Sequence, residues 1–301
     1  MPMIIDGRFL SDALGRPIEI DVRCASLGLV DSSRPGTLTF LDDLRFLRQL
    51  QANSNISAVI TTPEHRDLVA RADVAVLTSS DPRYDFYSIY NHLCKITYVK
   101  APARIHTTAV VHPQAYVSDY NVSIGADCVV EPMACVMPDV EIGERCVIRA
   151  GAVIGSEGYE KKWTTQGVLS VHHTGKVIVQ DDVEIGANVC ITKGMYLFGD
   201  TLIGSRTKIN ALAFIGHCVS IGRDCLVHLA ASVSGGSVVE DRVWIGPKAT
   251  VSNRLRIGAG ARISLGSVVT TDVPPGGHVT GNFAVDHEIF ISNLKRSIGR
   301  P

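Results

Sequence analysis

Residues 203–239 read IGSRTKINALAFIGHCVSIGRDCLVHLAASVSGGSVV, and an aliphatic residue returns at every sixth position. These aliphatic positions are Ile203, Ile209, Ile215, Ile221, Val227, Val233 and Val239. A small or slim residue stands four positions after most of them, as at Thr207, Ala213 and Ala231. Neither an α-helix nor an open sheet has a period of six. A short regular repeat instead predicts a solenoid, in which each unit buries its apolar side only against its neighbours.

The same period covers most of the C-terminal two thirds of the chain, and its aliphatic positions include Leu197. One step of six residues fits a short strand and a tight turn, and three steps close a triangular coil. Residues 18 positions apart should therefore stack, and we expect Ile185, Ile203 and Ile221 to form one interior ladder. The repeat predicts about eight coils between Ile105 and Val273.

The register of the repeat breaks twice. One extra residue is inserted near Tyr120, and residues 156–177, which begin SEGYEKKW, carry no repeat. We interpret this second segment as a loop extruded from the solenoid. Loops on rigid scaffolds often carry function, although a tolerated surface insertion would have the same sequence signature.

Composition restricts the class of protein. A net charge of −1 over 301 residues leaves no basic field for nucleic acid. The N-terminus lacks a leader pattern and no apolar run reaches membrane-spanning length, so we expect a cytoplasmic protein without an integral membrane segment. The eight cysteines form no CxxC pair. Cys128, Cys146 and Cys225 fall on inward small positions and are expected to be reduced core residues.

Residues 1–98 lack the repeat and predict a small α/β domain. ISAVITT and VAVLTSS have the composition of buried strands, whereas DLRFLRQLQAN, PEHRDLVARA and RYDFYSIYNHLC are helical in pattern. The predicted organisation is a nucleotide-sugar-binding domain over 1–98, a β-helix acyltransferase domain over 99–280 with the loop 156–177, and a C-terminal tail with a short helix over 281–301.

The hexapeptide pattern resembles the left-handed parallel β-helix of hexapeptide-repeat acyltransferases, and the resemblance implies the left hand. TLTFLDDLRFLRQL, followed by SAVITTPE and then the solenoid, is similar to UDP-3-O-acylglucosamine N-acyltransferases of lipid A synthesis. That family implies that Phe40 and Phe46 hold a uracil between them, although both could simply be core residues. Asp43 stands where the family usually has Asn, and a carboxylate there would repel a diphosphate.

The segment INALAFIGHCVSIG resembles the catalytic segment of this family, which implies that His217 is the general base for a sugar amine. Gly235, one predicted coil further on, matches the glycine whose N–H stabilises the oxyanion, and a plain turn glycine is the alternative. Asn210 matches a family position near the sugar that is usually Asp. His173, in the loop, falls where the family often has Gln, and the resemblance implies that both bind substrate. Arg254 replaces a histidine that contacts phosphate.

The C-terminal stretch VVTTDVPPGGHVTGNFA resembles instead the closing segment of CoA-dependent hexapeptide acyltransferases. This resemblance implies that Gly281, Asn282 and Phe283 lie beside CoA, with Phe283 in the place of a proline. The long helix associated with acyl carrier protein binding is reduced to HEIFISNLKRS.

These resemblances together predict an N-acyltransferase for surface polysaccharide synthesis. It would move an acyl group from CoA or acyl carrier protein, as a co-substrate, to the amine of a nucleotide-linked amino sugar. Lipid A synthesis is the alternative pathway within the same chemistry. No permanently bound cofactor is expected, and the resemblance implies a homotrimer with sites between subunits.

Two other classes remain as alternatives. Some hexapeptide enzymes bind zinc through three histidines, but His217 and His228 are not at a ladder spacing and no third partner is evident, so we expect no metal. A non-catalytic trimeric scaffold would make His217 dispensable. Cys218 is a poor candidate nucleophile, because neighbours on a strand point to opposite sides.

Overall fold

The computed structural model describes residues 4–195, 199–281, 284–297 and 299. The chain divides into two compact units. The first comprises Met1–Ala101, Glu157–Gly175 and Met195–Gly199, and the second comprises Pro102–Ser156, Lys176–Gly194 and Asp200–Pro301. Within the described residues, no helix is both long enough and apolar enough to cross a membrane.

The first unit is built on a parallel four-stranded sheet whose strand order follows the chain. Its strands are β3 (Ser26–Leu27), β4 (Thr37–Leu41), β5 (Ile56–Thr61) and β6 (Ala75–Thr78), and a small antiparallel pair consists of β1 (Ile5–Asp6) and β2 (Arg23–Cys24). Its α-helices are α1 (Gly7–Leu14), α2 (Leu47–Ala52), α3 (Arg66–Val69) and α4 (Pro82–Thr97), and short 3-10 helices cover Leu44–Phe46 and Pro63–His65.

Helix α4 shows why this unit is stable. Asp81 caps its N-terminus by accepting the Tyr84 N–H at 2.9 Å, and Pro82 suits the first turn. The helix buries an apolar stripe that includes Phe86, Ile89, Tyr90 and Leu93. Residues 157–175 belong to the same unit and form a hairpin from Lys161–Thr164 and Gly167–Ser170. The Tyr90 hydroxyl ties this segment to α4 by donating to the His172 carbonyl at 3.0 Å.

The second unit is a left-handed parallel β-helix with three sheets as its faces. The first face contains Arg104–Ile105, Val122–Ile124, Val140–Ile142, Val177–Val179, Thr201–Ile203, Ser220–Ile221, Val238–Val239 and Arg256–Ile257. The second contains Val110–Val111, Val129–Val130, Val147–Ile148, Glu184–Ile185, Lys208–Ile209, Leu226–Val227, Trp244–Ile245, Arg262–Ile263 and His278–Val279. The third contains Tyr116–Val117, Cys135–Val136, Val153–Ser156, Cys190–Thr192, Phe214–Ile215, Ser232–Val233, Thr250–Val251 and Val268–Val269. The short helix α5 (His287–Ser297) follows the last coil.

The interior of the β-helix has the composition that the repeat predicts. The aliphatic positions of its central coils are at most a few per cent exposed, and the small positions such as Cys128, Ala134 and Ala231 are fully buried. The three cysteines expected in the core are buried free thiols. The mainly β architecture, with a small α/β portion and a short C-terminal helix, is therefore confirmed.

One predicted ladder is wrong. Ile203 stacks on Ile221 as expected, but Ile185 pairs with Ile209 on the second face, and the residue stacked beneath Ile203 is Val179. The segment between Thr192 and Thr201 inserts the equivalent of one extra repeat. Such an insertion keeps the period of six in phase while it shifts every later residue to the next face. Leu197, a predicted aliphatic position of the repeat, lies outside the described residues.

The other two irregularities are visible in the pairing register. Ile105 pairs with Ile124, so one residue is inserted in the turn that contains Tyr120. Ile142 pairs directly with Val179, and the intervening chain leaves the solenoid after Ser156. The excursion starts at the corner between the third and first faces, which is also the corner where the Thr192–Thr201 insertion leaves.

Candidate functional site

His217 lies at the corner between the third and first faces, directly after the strand Phe214–Ile215. The next residue, Cys218, has a left-handed φ of 58°, which turns the chain into the next face. The His217 carbonyl accepts the Gly236 N–H of the following coil at 2.9 Å. The Cys218 N–H donates to the buried Thr201 hydroxyl at 2.9 Å. The peptide unit that follows His217 is therefore held from both sides.

The imidazole of His217 lies against Gly235 of the next coil. A Cβ at Gly235 would lie 2.7 Å from the imidazole Nε2 and 2.8 Å from Cε1. Because real Cβ atoms do not approach so closely, only glycine accommodates the ring in this position. The stacking of residues 18 positions apart thus brings His217 and Gly235 together, as the repeat predicts.

This contact places a base beside a backbone donor. Among the described residues, no protein acceptor is hydrogen-bonded to the Gly235 N–H, whereas its carbonyl accepts the Arg254 N–H at 3.1 Å. The arrangement combines an imidazole nitrogen that can take a proton with an N–H that can stabilise a developing negative charge. Acyl transfer to an amine is one reaction that uses both groups.

Arg254 extends the same corner by one more coil, directly beyond the strand Thr250–Val251 of the third face. Its side chain is exposed, and its Cγ would lie 3.2 Å from a Cβ at Gly236. His217 and Gly235, which are 18 residues apart, therefore form one column, the His217 column. Arg254 stacks on Gly236 in the adjacent column of the same corner.

Asn210 and Gly281 lie at a different corner, between the second and third faces. Asn210 follows the strand Lys208–Ile209 and is exposed, with its Oδ1 accepting the Ala211 N–H at 2.7 Å. Gly281 follows the strand His278–Val279 at the C-terminal end of the same face. Asn282 and Phe283 lie outside the described residues. Within one chain, the residues of this second corner do not join the His217 column.

The second face carries an aromatic stack that the sequence analysis missed. The ring centroids of His228 and Trp244 are 4.7 Å apart, and the Arg262 guanidinium lies 4.5 Å from the centroid of the Trp244 ring. Desolvation by burial, followed by the positive charge of Arg262, lowers the pKa of His228. The 18-residue spacing of Trp244 and Arg262 was the available signal, because it places both side chains in one outward column.

In the first unit, Phe40 and Phe46 have different environments. Phe40, at the end of β4, belongs to an aromatic cluster, with its ring centroid 4.8 Å from Phe86 and 5.8 Å from Tyr87. Phe46 lies on the 3-10 helix and is 47% exposed. Phe40 thus has the packing of a core residue on one side, whereas Phe46 presents an uncovered ring.

Asp43 does not present an uncompensated negative charge. It caps the 3-10 helix by accepting the Arg45 N–H at 2.9 Å, and its Oδ2 accepts from Arg45 Nε at 2.8 Å and from Nη2 at 2.6 Å. These hydrogen bonds to Arg45 hold the pKa of the Asp43 carboxyl below its usual value. The repulsion expected between Asp43 and a diphosphate is therefore offset by an adjacent guanidinium, which the sequence analysis did not consider.

His173 follows the hairpin of the first unit, and its side chain is buried. The flanking backbone is fixed on α4: the His172 N–H donates to Asn91 Oδ1 at 3.0 Å, and Asn91 Nδ2 donates to the Ser170 carbonyl at 2.8 Å. Across the described part of the chain, no three His, Cys, Asp or Glu side chains converge as a metal site.

Comparison with known proteins supplies the family. A model of the bacterial transferase hexapeptide (six repeats) matches residues 121–156. UDP-3-O-acylglucosamine N-acyltransferases from Caulobacter sp. (strain K31) and Methylobacterium nodulans are 43% identical over 140 residues and 45% identical over 135 residues. These alignments cover 46% and 45% of this chain but only 41% and 38% of the two relatives, so the similarity spans less than half of their length.

A third relative is similar over nearly the whole chain. The UDP-3-O-acylglucosamine N-acyltransferase of Delftia acidovorans is 31% identical over 290 residues, which cover 91% of this chain and 85% of the relative. The alignment therefore includes both the α/β unit and the β-helix, rather than the hexapeptide repeat alone. The chain belongs to the UDP-3-O-acylglucosamine N-acyltransferase family.

Proposed function

We propose that this protein is an N-acyltransferase that moves an acyl group from a thioester to the amine of a nucleotide-linked amino sugar. The observation that carries the proposal is the contact between the His217 imidazole and Gly235, whose backbone N–H has no protein acceptor among the described residues. Family membership supports the same chemistry, because the named relatives are N-acyltransferases of an acylated UDP-glucosamine.

His217 acts as the general base in the proposed reaction. A sugar amine is largely protonated near neutral pH, so its nitrogen loses one proton to solvent before the attack and a second proton as it attacks the thioester carbonyl. Histidine, the residue type whose unperturbed pKa lies near ~6.5, is suited to take this second proton. The new N–C bond forms as the carbonyl oxygen becomes an oxyanion. The Gly235 N–H stabilises that oxyanion, the C–S bond then breaks, and the thiol leaves with the proton held by His217.

The remaining candidate residues are proposed to bind the substrate. Arg254, at the same corner as His217, suits a diphosphate because its guanidinium can donate two parallel hydrogen bonds. Phe46 offers an exposed ring on which the nucleotide's uracil can stack, and Phe40 would contact the opposite face of the uracil. Asp43 is proposed to act by holding the Arg45 guanidinium beside the substrate-binding residues. The His173 side chain is buried, which is unfavourable for a direct contact with the substrate.

Asn210 and Gly281 can contribute to the same active site as His217 only in an oligomer. Both lie at the corner between the second and third faces, away from the His217 column of their own chain. In a homotrimer, this corner of one subunit would face the His217 column of its neighbour, and Asn210 would contact the sugar. A monomeric protein in light scattering would refute this arrangement.

Two substrates are compatible with this chemistry. The first is a UDP-3-O-acylglucosamine, the sugar in the names of the relatives, with acyl carrier protein as donor. The second is a soluble nucleotide amino sugar of surface polysaccharide synthesis, with CoA as donor. The DVPPGG segment favours the second, because it resembles the closing segment of CoA-dependent hexapeptide acyltransferases. It forms the last coil of the β-helix, where Val273 bridges to Ile257 and the Gly276 φ of 68° turns the chain into the strand His278–Val279. In both cases the thioester is a co-substrate rather than a resident cofactor.

The test measures release of free thiol with a panel of UDP- and dTDP-linked amino sugars and 3-O-acylated UDP-glucosamine. Each acceptor is offered with acetyl-CoA, 3-hydroxyacyl-CoA and 3-hydroxyacyl carrier protein, and His217→Ala is the control. We expect turnover with at least one pair and a loss of about 10²–10⁴ in the control. Turnover only with acyl carrier protein and the 3-O-acylated sugar would assign lipid A synthesis. Turnover that survives in His217→Ala would refute the mechanism.

A further inference from the structure

The Thr201 hydroxyl makes two hydrogen bonds at the His217 corner. Thr201 is fully buried at the start of the strand Thr201–Ile203. Its Oγ1 donates to the Thr192 carbonyl at 2.8 Å and accepts the Cys218 N–H at 2.9 Å. Thr192 and Thr201 stand at the two ends of the extra repeat that leaves the solenoid. One hydroxyl therefore joins both ends of that insertion to the residue that follows His217.

Hydroxyl groups at other corners of this β-helix are bonded differently. The Thr207 hydroxyl donates to the Gly222 carbonyl at 2.8 Å and accepts the Cys225 N–H at 3.0 Å. Ser237 donates to the Ser252 carbonyl at 2.9 Å in the same pattern. Both partners of these groups lie on the following coil, so each group joins two successive turns. Thr201 instead donates backward, to the strand that precedes the insertion.

The backward hydrogen bond has a fixed anchor. Lys193, the residue after Thr192, donates its N–H to the Ser156 carbonyl at 2.9 Å. Its ammonium group forms an ion pair with Asp139 at 3.1 Å, and both side chains are about nine-tenths buried. Asp139 Oδ1 also accepts from Asn121 Nδ2 at 2.9 Å. A buried, hydrogen-bonded ion pair constrains geometry strongly, because neither charge can leave its partner without a large desolvation cost.

The peptide unit after His217 is consequently pinned at both polar atoms. Its carbonyl accepts the Gly236 N–H from the coil above, and its N–H donates to Thr201 below. The orientation of this peptide sets the direction in which the His217 side chain leaves the backbone. The ring must stay on Gly235 to hold its nitrogen beside the N–H donor, and a misplacement of about 1 Å can reduce a rate by about 10².

We propose that Thr201 is a positioning residue for His217, and that its hydroxyl compensates for the extra repeat by restoring the corner geometry that the insertion would otherwise disturb. This inference rests on the proposed role of His217 as general base. It assigns a function to a fully buried residue.

The test compares Thr201→Val with Thr207→Val. Both substitutions remove a buried hydroxyl that bridges an N–H and a carbonyl while keeping the β-branched shape, and both should lower the thermal midpoint to a similar extent. We expect Thr201→Val to reduce kcat by about 10-fold to 100-fold with KM changed less than about threefold. Thr207→Val should change kcat by less than about threefold, and Thr201→Ser, which keeps the hydroxyl, should restore most of the rate.

Equal kcat values for Thr201→Val and Thr207→Val would overturn the proposal, as would a failure of Thr201→Ser to rescue. Hydrogen–deuterium exchange of the peptide that spans 212–220 supplies a readout independent of turnover. We expect faster exchange there in Thr201→Val than in Thr207→Val, and equal exchange would refute the hydrogen bond itself. If the wild type turns over no member of the substrate panel, the proposed function fails, and exchange alone then decides whether Thr201 holds this corner.

Discussion

Replacing Gly235 by alanine tests the geometry of the proposed active site. The new Cβ would lie 2.7 Å from His217 Nε2, 2.8 Å from Cε1 and 3.1 Å from Cδ2. Ordinary contacts of carbon with other heavy atoms begin near ~3.5 Å, so the ring must move by about 1 Å. A displacement of that size corresponds to about 10² in rate, or about 2.7 kcal/mol of transition-state stabilisation.

The stability of Gly235→Ala should change little. His217 is partly exposed, so its ring can swing outward and relieve the contact without disturbing the core. The backbone of Gly235 is outside the left-handed region, which alanine would resist. We therefore expect kcat to fall about 100-fold while the free energy of unfolding changes by less than about 1 kcal/mol.

Gly260→Ala is the matched control. Gly260 has a φ of 69° and no atom within 4 Å of its Cβ position. Alanine there costs about 1–2 kcal/mol through the left-handed backbone but touches nothing near His217. Thiol-release kinetics and thermal unfolding should thus give opposite signatures for the two variants. Turnover of Gly235→Ala within threefold of the wild type would refute the assignment of the ring position, and with it the proposed base.

Three further outcomes are expected. Lys193→Met should lower the free energy of unfolding by about 3–5 kcal/mol, because it removes the cation paired with the buried Asp139 carboxylate. Lys176→Met breaks an exposed pair and should cost about 1 kcal/mol or less, and equal losses in chemical denaturation would contradict this. The lowered pKa of His228 means that the unfolded chain binds a proton more readily, so the free energy of unfolding should fall as the pH drops below about 6.5. His228→Gln should reduce this fall when chemical denaturation is compared at pH 7 and pH 5, and an unchanged pH dependence would refute the prediction. Arg254→Ala should raise KM for the nucleotide sugar about tenfold without a matching loss of kcat, and a change confined to kcat would argue against a phosphate contact.

The agreement between sequence and structure is closest where the repeat is uninterrupted. From Ile203 onward, the coils follow one another without insertion, so the rule that residues 18 positions apart stack holds for His217 and Gly235. The extra residue near Tyr120 was also detectable, because a single inserted residue shifts the phase of the period. The helices and strands of the first unit were readable from their apolar patterns for the same local reason.

The hydrogen-bond and ion-pair partners of individual side chains could not be predicted from the sequence. The sequence predicts that Asp43 would repel a diphosphate, but the Arg45 guanidinium offsets this repulsion. The ion pair between Asp43 and Arg45 depends on the turn of the 3-10 helix. Thr201 occupied an ordinary inward position of the repeat, and nothing in the pattern distinguished its backward hydrogen bond from the forward bond of Thr207. The direction of the Thr201 hydrogen bond depends on where the inserted segment leaves the corner, and that position is set only in the folded coil.

The sequence by itself determined that this chain forms a triangular solenoid and which side chains face its interior, because burial in a narrow tube imposes a period that no other fold shares. It also determined that Gly235 would lie one coil from His217. Only the tertiary structure decided which strands stack below Ile203, since an insertion of six residues preserves the phase of the pattern while moving each later strand to a new face. The placement of Thr201, Thr192 and Cys218 around His217 depends on that shift, and the physical reason is that a periodic signal records position within a repeat but not the number of repeats in a coil.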